Sequence, residues 1–253
     1  MTSIKYHRPQ TLDEALELLE HGVPLAGGTR LTPSLRGVGA LVDLQDLDLD
    51  QIEATTSTLE FGGTATLQGL VDNGSRLPDA MVRAARLEAG WNIRNKATVA
   101  GTIVTGDGRS PLLTVLLALG TDLELAPGGD RISLGGALDR GADRTGGKLI
   151  TAIHAANLGR LEYAQVARSP ADRPQICVAV AVDQSEKLVR IALGGHGAHP
   201  VLLPNDGGLQ AAEAAHLAQT MYADAGDQWA SAEYRSSAAA TLVARLVKQA
   251  GFE

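Results

Sequence analysis

The chain has 253 residues, 44% hydrophobic and 20% charged, which suits one large domain or two smaller ones with filled cores and excludes wholesale disorder or a collagenous chain. A net charge of −7 and eight aromatic residues beside 29 glycines argue against a nucleic-acid grip, which needs basic surface and stacking platforms. They leave room for a nucleotide cofactor held by backbone amides. Cys177 is the sole cysteine, so the chain has no internal disulfide, no CxxC pair and no cysteine-ligated cluster of its own. No apolar run approaches the roughly 18 residues of a membrane span, and the start has no signal-like apolar region, so no membrane span and a cytoplasmic location are expected.

Thr11 and Glu14 have capping-box spacing, and Leu12, Ala15, Leu16 and Leu19 recur on one helical face. This predicts a helix over 12–21 that ends at Gly22 as a C′ glycine. A short strand, 23–26, leads through Gly27-Gly28 into a helical turn, 31–35, whose first turn tolerates Pro33, and a second strand follows at 40–44. The segment 58–66 reads as a strand and 67–71 as a short helix, and Pro78 opens a helix closed by Gly90. Residues 97–104 are small and β-branched, 105–111 read as a compact loop, 112–119 as a buried helix, and 122–125 and 149–154 as strands. Composition shifts near 155–162, which places a domain boundary near 156. Beyond it, 176–182 and 189–193 flank 183–187 as an antiparallel hairpin, and helices near 209–220 and 231–249 finish the chain. Closely interspersed strands and helices argue for an α+β or α/β fold.

Standard nucleotide fingerprints fail. Gly37-x-Gly39 is not completed by a third glycine, and the stretch 142–149 lacks the first glycine and the hydroxyl residue of a phosphate loop. His196 and His199 lie in a Gly/Pro-rich stretch that opposes the helix a two-histidine metal site at that spacing would want, so a surface turn is the expectation. Cys177 sits within an apolar strand, where burial makes a thiol inert. Two loops remain. In Ala26-Gly27-Gly28-Thr29-Arg30-Leu31, small residues after a strand allow close backbone approach by a ligand, and outward amides at the next helical turn form an anion nest. In Thr98-Val99-Ala100-Gly101-Thr102, small and hydroxyl residues leave room for a phosphate or sugar. Each alone is also what a tight turn requires, and together they suggest a phosphate-bearing cofactor between two lobes.

The order YHRP, AGGTRLTP, NIRNKATVAGTI, GKLITAI, RIALGGHGAHP and SAEYR resembles the FAD-binding medium subunit of molybdenum hydroxylases, the family of carbon monoxide dehydrogenase and xanthine dehydrogenase. The resemblance runs from about residue 4 to 248. It implies an α+β fold: a two-subdomain FAD-binding domain of the vanillyl-alcohol-oxidase/PCMH type over 1–155, with subdomains of about 1–55 and 56–155. A C-terminal domain of small antiparallel sheet plus helices would cover 156–253. By resemblance, Ala26, Gly27, Gly28, Thr29, Arg30 and Leu31 hold the FAD pyrophosphate, and a side chain on Gly27 would block that approach. Thr98, Val99, Ala100, Gly101 and Thr102 form the second FAD loop, Asp107 matches an acidic cofactor-loop position, and Ile150 matches an aliphatic position beside the flavin.

The resemblance further implies an electron-relay subunit of a molybdopterin-dependent dehydrogenase or hydroxylase. Electrons would come from the clusters of an iron–sulfur subunit, fed by a molybdopterin-binding large subunit, and pass through FAD to NAD or another acceptor. Several positions depart from the family pattern: Ala100 replaces a glycine, Thr102 an Asn or Ser, Gly108 a proline, and Gln165 stands where many relatives carry Lys. Pro111 stands where an acid is common. The alternative that these departures leave open is a flavin-free structural subunit of such a complex. An unrelated enzyme built on a glycine turn would instead turn over alone.

Overall fold

The computed structural model describes residues 4–169, 171–183, 188–204 and 210–251. The chain opens with β1 (Lys5–His7), α1 (Leu12–Leu19), β2 (Val23–Leu25) and, after a 3-10 turn at Thr32–Ser34, β3 (Ala40–Asp43). The three strands form a parallel sheet in the order β1-β3-β2, and α1 buries Ala15 against Val42 and Leu44. Thr11 Oγ1 accepts the Glu14 N–H at 3.3 Å, while Glu14 Oε2 accepts from Gln10 N rather than from Thr11 N, a capping box displaced by one residue. The helix stops at Leu19, earlier than its pattern predicts. Gly22 is absent from the left-handed glycines; its missing side chain instead makes room for Val42 Cγ2 and the Leu18 carbonyl.

The second unit begins with β4 (Ile52–Ala54) and β5 (Thr58–Gly62), then α2 (Leu67–Asp72), α3 (Asp79–Glu88), α4 (Trp91–Arg94), α5 (Val99–Thr105) and α6 (Pro111–Ala118). It closes with β6 (Asp122–Ala126), β7 (Asp130–Ser133), α7 (Leu134–Asp139) and β8 (Leu149–Ala156). Its antiparallel sheet has the order β4-β5-β8-β6-β7. The strand predicted over 58–66 ends at Gly62; the next residue, Gly63, lies so close to β8 that a Cβ there would stand 2.2 Å from the Ile150 carbonyl oxygen. Every residue of α6 is buried, as expected for a helix apolar all round that runs through the middle of a core.

The C-terminal part contains β9 (Arg160–Val166), β10 (Ile176–Asp183), β11 (Leu188–Gly194), β12 (Val201–Leu202), α8 (Ala211–Met221) and α9 (Ala232–Gln249). The four strands form an antiparallel sheet in the order β12-β11-β10-β9. Asp183 faces Leu188 across the predicted hairpin; its connection, 184–187, and residue 209 of the predicted penultimate helix lie outside the described residues. Strand β10 serves two cores by its period of two. Cys177, Ala179 and Ala181 face the core that holds α3 and α6, and Ile176, Val178, Val180 and Val182 face the core under α8 and α9. The small residues on the first face leave space for α6, and the branched residues on the second fill the gap to the terminal helices.

Candidate cofactor site

The first glycine loop leaves β2 with Gly28 at φ +68° and returns to the right-handed region at Leu31, closed by a Thr32 N to Gly28 O bond of 2.9 Å. Among the described residues, the N–H groups of Gly27, Gly28, Thr29, Arg30 and Leu31 find no protein acceptor. A run of unpaired amides through an αL–αR bend is the geometry of an anion nest. Exposed Arg30 adds a cationic side chain at its rim.

The second loop is the start of a helix, which the β-branched composition concealed. Thr98 is the N-cap of α5, with Oγ1 accepting the Gly101 N–H at 3.0 Å. Thr102 and Thr105 bond back to the carbonyls of Thr98 and Gly101 at 3.0 and 2.8 Å, which satisfies their hydroxyls inside a helix that their propensities oppose. The N–H of Val99 is taken by the Ala65 carbonyl at 2.8 Å.

The two loops are knit together by backbone. A Cβ placed on Gly27 would lie 1.7 Å from the Lys96 carbonyl oxygen and 3.1 Å from Ala97 N, so the space a side chain there would invade belongs to the protein itself. The expected block at Gly27 is therefore first a clash between the loops.

Between them lies a cavity of about 450 Å³, within the ordinary range for a small-molecule site. The first loop lines it from Ala26 through Leu31; Thr98, Ala100, Gly101 and Thr102 line it from α5, and Ile150 lines it from β8. Two predicted residues stand elsewhere. Val99 is fully buried in the main core. Asp107 does not line the cavity; it accepts the Arg109 N–H at 2.8 Å and the Arg173 guanidinium, with Nη1 at 2.8 Å from Oδ2. Burial opposes ionisation of Asp107, but Arg173 and the Arg109 amide outweigh it and hold the carboxyl below its usual range.

Sequence reasoning missed Leu44, Glu88, Ile93, Val104 and Lys148, all at the cavity wall. Lys148 is paired with Asp130. Glu88 precedes, and Ile93 belongs to, a segment the motifs did mark: in the IRN stretch, Arg94 Nη1 reaches the Arg86 and Ala89 carbonyls at 3.1 and 2.9 Å, and Asn95 reaches the Trp91 carbonyl at 2.8 Å. Those two motif residues therefore position the end of α3 and the turn of α4, leaving Glu88 and Ile93 to face the cavity.

Other marked residues hold the fold together. Gly108 admits no side chain, since a Cβ would lie 1.8 Å from the His196 carbonyl oxygen, and it exchanges backbone bonds with Gly197 and Gly195. This pins the GGHGAHP turn against the end of α5. Cys177 is wholly buried 3.4 Å from Thr114 Oγ1, and burial pushes its thiol up to about 12, so it is inert at neutral pH. Arg235 of SAEYR is wholly buried, held by the Gln175 carbonyl at 2.9 Å and by Asp227 Oδ1 at 2.9 Å. Gln165 Oε1 accepts the Tyr163 hydroxyl at 2.6 Å.

Comparison with known proteins adds three kinds of finding. The family described as the FAD binding domain in molybdopterin dehydrogenase matches residues 2–155. The chain is 33% identical over 199 residues to the uncharacterized protein YgfM of Escherichia coli K12, covering 76% of this chain and 74% of that one. It is 29% identical over 279 residues to the carbon monoxide dehydrogenase medium chain of Afipia carboxidovorans, covering 98% and 96%. A chain of reconstituted CO dehydrogenase from Oligotropha carboxidovorans superposes with a TM-score of 0.83 at 27% identity, covering 98% of this chain and 97% of that one.

Proposed function

The chain belongs to the FAD-binding family of molybdopterin dehydrogenases, and we propose that it is the electron-relay subunit of a molybdenum hydroxylase complex. The observation that carries the reading is the run of acceptor-free amides from Gly27 to Leu31, facing the start of α5 across one cavity. In this reading those amides and Arg30 hold the pyrophosphate of FAD. Thr98, Ala100, Gly101 and Thr102 give its sugar and phosphate portions a small-residue wall, and Ile150 supplies an apolar contact beside the isoalloxazine ring. When bound, FAD supplies chemistry that exchanges single electrons on one side and pairs on the other. The protein binds and orients it and excludes water with Leu44, Leu67 and Leu149, which also line the cavity.

The chain is divided here at residue 156 into the cofactor-binding part and a C-terminal part of 156–253. With a single cysteine it leaves cluster chemistry to partners, so electron entry requires docking to an iron–sulfur subunit beside a molybdopterin-binding large subunit. NAD or another acceptor takes the electrons onward. Medium chains are named among the relatives as parts of carbon monoxide dehydrogenase, glyceraldehyde dehydrogenase and nicotine 6-hydroxylase. The test is mild isolation of the tagged chain from its native host, followed by subunit, iron and molybdenum analysis. Two further subunits carrying clusters and molybdopterin are expected; a flavoprotein that consistently isolates alone would overturn the assembly.

A further inference from the structure

Three charged side chains border the cavity, the cations Arg30 and Lys148 and the acid Glu88. An acid at a site for an anionic cofactor calls for a reason. Glu88 ends α3, and Arg94 fixes that end by binding the Arg86 and Ala89 carbonyls while its Nε reaches Gln68 Oε1 at 3.1 Å. One carboxylate oxygen, Oε2, accepts the Ser110 hydroxyl at 2.7 Å and the Leu112 N–H at 3.0 Å. These are the N-cap and second residue of α6, on either side of Pro111, which contributes neither an N–H nor a polar side chain.

Glu88 thus supplies from α3 the carboxylate that α6 lacks at its own first position. The other oxygen, Oε1, receives no donor among the described residues and is not sealed in the core. An ionised carboxylate only accepts hydrogen bonds, so Oε1 repels phosphate oxygens and selects O–H or N–H groups. Burial raises the Glu88 carboxyl above its ordinary range, and the Leu112 and Ser110 donors work against that; a further donor would act in the same direction.

We propose that Glu88 Oε1 accepts a hydrogen bond from a hydroxyl or N–H group of bound FAD, anchoring a part of the cofactor other than the pyrophosphate held by the first loop. The assignment rests on the FAD reading above. It makes Glu88 a cofactor-binding residue and gives the loop around Pro111 an acidic contact from a neighbouring helix. Two features then set the orientation of FAD in the cavity: amides that take only acceptors at one place, and a carboxylate oxygen that takes only donors at another.

Glu88→Gln tests this, because the glutamine oxygen keeps the Ser110 and Leu112 bonds while its amide puts a donor, in place of an acceptor, at the position of Oε1. FAD is titrated into apoprotein and followed by flavin fluorescence, with the melting temperature of the apoprotein recorded alongside. The FAD Kd is expected to rise roughly tenfold or more, with the apoprotein melting within a few degrees of wild type. If the Gln variant does not fold, Glu88→Asp keeps the charge but withdraws the oxygen by one methylene, and the same weakening is expected. Unchanged FAD affinity in a folded variant overturns the proposal, as does a fall in apoprotein stability with binding intact. Wild type is titrated first: if it fails to bind, alone and with its partner subunits, the FAD reading fails, whereas tight wild-type binding matched by Glu88→Gln counts against Glu88 alone.

Discussion

Replacing Gly27 with alanine probes the seam between the two cofactor loops. The new Cβ would begin 1.7 Å from the Lys96 carbonyl oxygen and 2.6 Å from its carbon. Reaching ordinary contact requires the loops to part by roughly 1.5 Å or more. Neither neighbour is a flexible side chain tip, so the strain falls on backbone, and overpacking of this kind costs about 1–3 kcal/mol. For a chain of this length that is a fall of roughly 2–12 °C in Tm. A shift of that size also carries an amide from hydrogen-bonding distance to beyond about 3.5 Å of an acceptor. Loss of two charge-assisted bonds, at about 1.5 kcal/mol each, would weaken FAD binding roughly a hundredfold. Differential scanning fluorimetry and FAD titration measure both effects, with Gly39→Ala as the control because a Cβ there meets nothing within 4 Å. A Gly27→Ala protein that melts and binds FAD like wild type would refute the argument that close backbone approach fixes these loops.

Further expectations concern the side chains that brace the site. Arg144 is buried with no acid partner among the described residues; it donates to the Ile103 carbonyl and, at 2.7 Å, to the Gly106 carbonyl at the end of α5, and its Nη2 lies 3.4 Å from the Ala198 carbonyl. Arg144→Met should cost about 2–4 kcal/mol in urea unfolding through the unpaired carbonyls, and it should weaken FAD binding by loosening α5. Arg235→Lys, which cannot reproduce the bonds to Gln175, Ala225 and Asp227, should destabilise the protein by about 3–5 kcal/mol while sparing FAD affinity in the fraction that remains folded. Asp107 has a depressed carboxyl in the folded state, so its contribution is complete above the unfolded value near ~3.9 and is lost as pH falls through the lower folded value. Because the pair with Arg173 is part-exposed, the contribution is below about 1 kcal/mol. Urea midpoints should therefore fall slightly more for wild type than for Asp107→Asn between pH 7 and pH 3, and identical slopes would count against the pairing.

Where one periodicity dominated, the chain's organisation could be read from its residues. The apolar run at 112–119 became a wholly buried helix, and 176–182 with 189–193 became two central strands. Glycines after a strand marked the first loop as a tight turn or an anion nest, and the structure gives it a left-handed bend at Gly28 whose amides, among the described residues, are unpaired. The second was marked by its small and hydroxyl residues but not as a helix: Thr98, Val99, Thr102, Ile103 and Val104 favour strands locally, and tertiary capping by Ala65 and threonine back-bonding overrides that preference. The short strands β1, β7 and β12 are specified by their partners rather than by their own pattern. Glu88 was invisible because its role depends on α3 ending beside the start of α6, a contact across 22 and 24 residues to Ser110 and Leu112 that no spacing rule encodes. Asp107, marked by resemblance, is instead engaged by Arg173, an ion pair whose partner is 66 residues away.

The most direct measurement is an equilibrium titration of the purified chain, stripped of any bound cofactor, with FAD, read by absorbance and by heat release of the flavin. Saturable binding of one FAD per chain, with a flavin spectrum retained through gel filtration and FAD liberated on denaturation, is expected. A folded chain that stays colourless and leaves FAD fluorescence unchanged, alone and after addition of its partner subunits, would contradict the assignment of the Gly27–Leu31 amides and the α5 N-terminus to this cofactor.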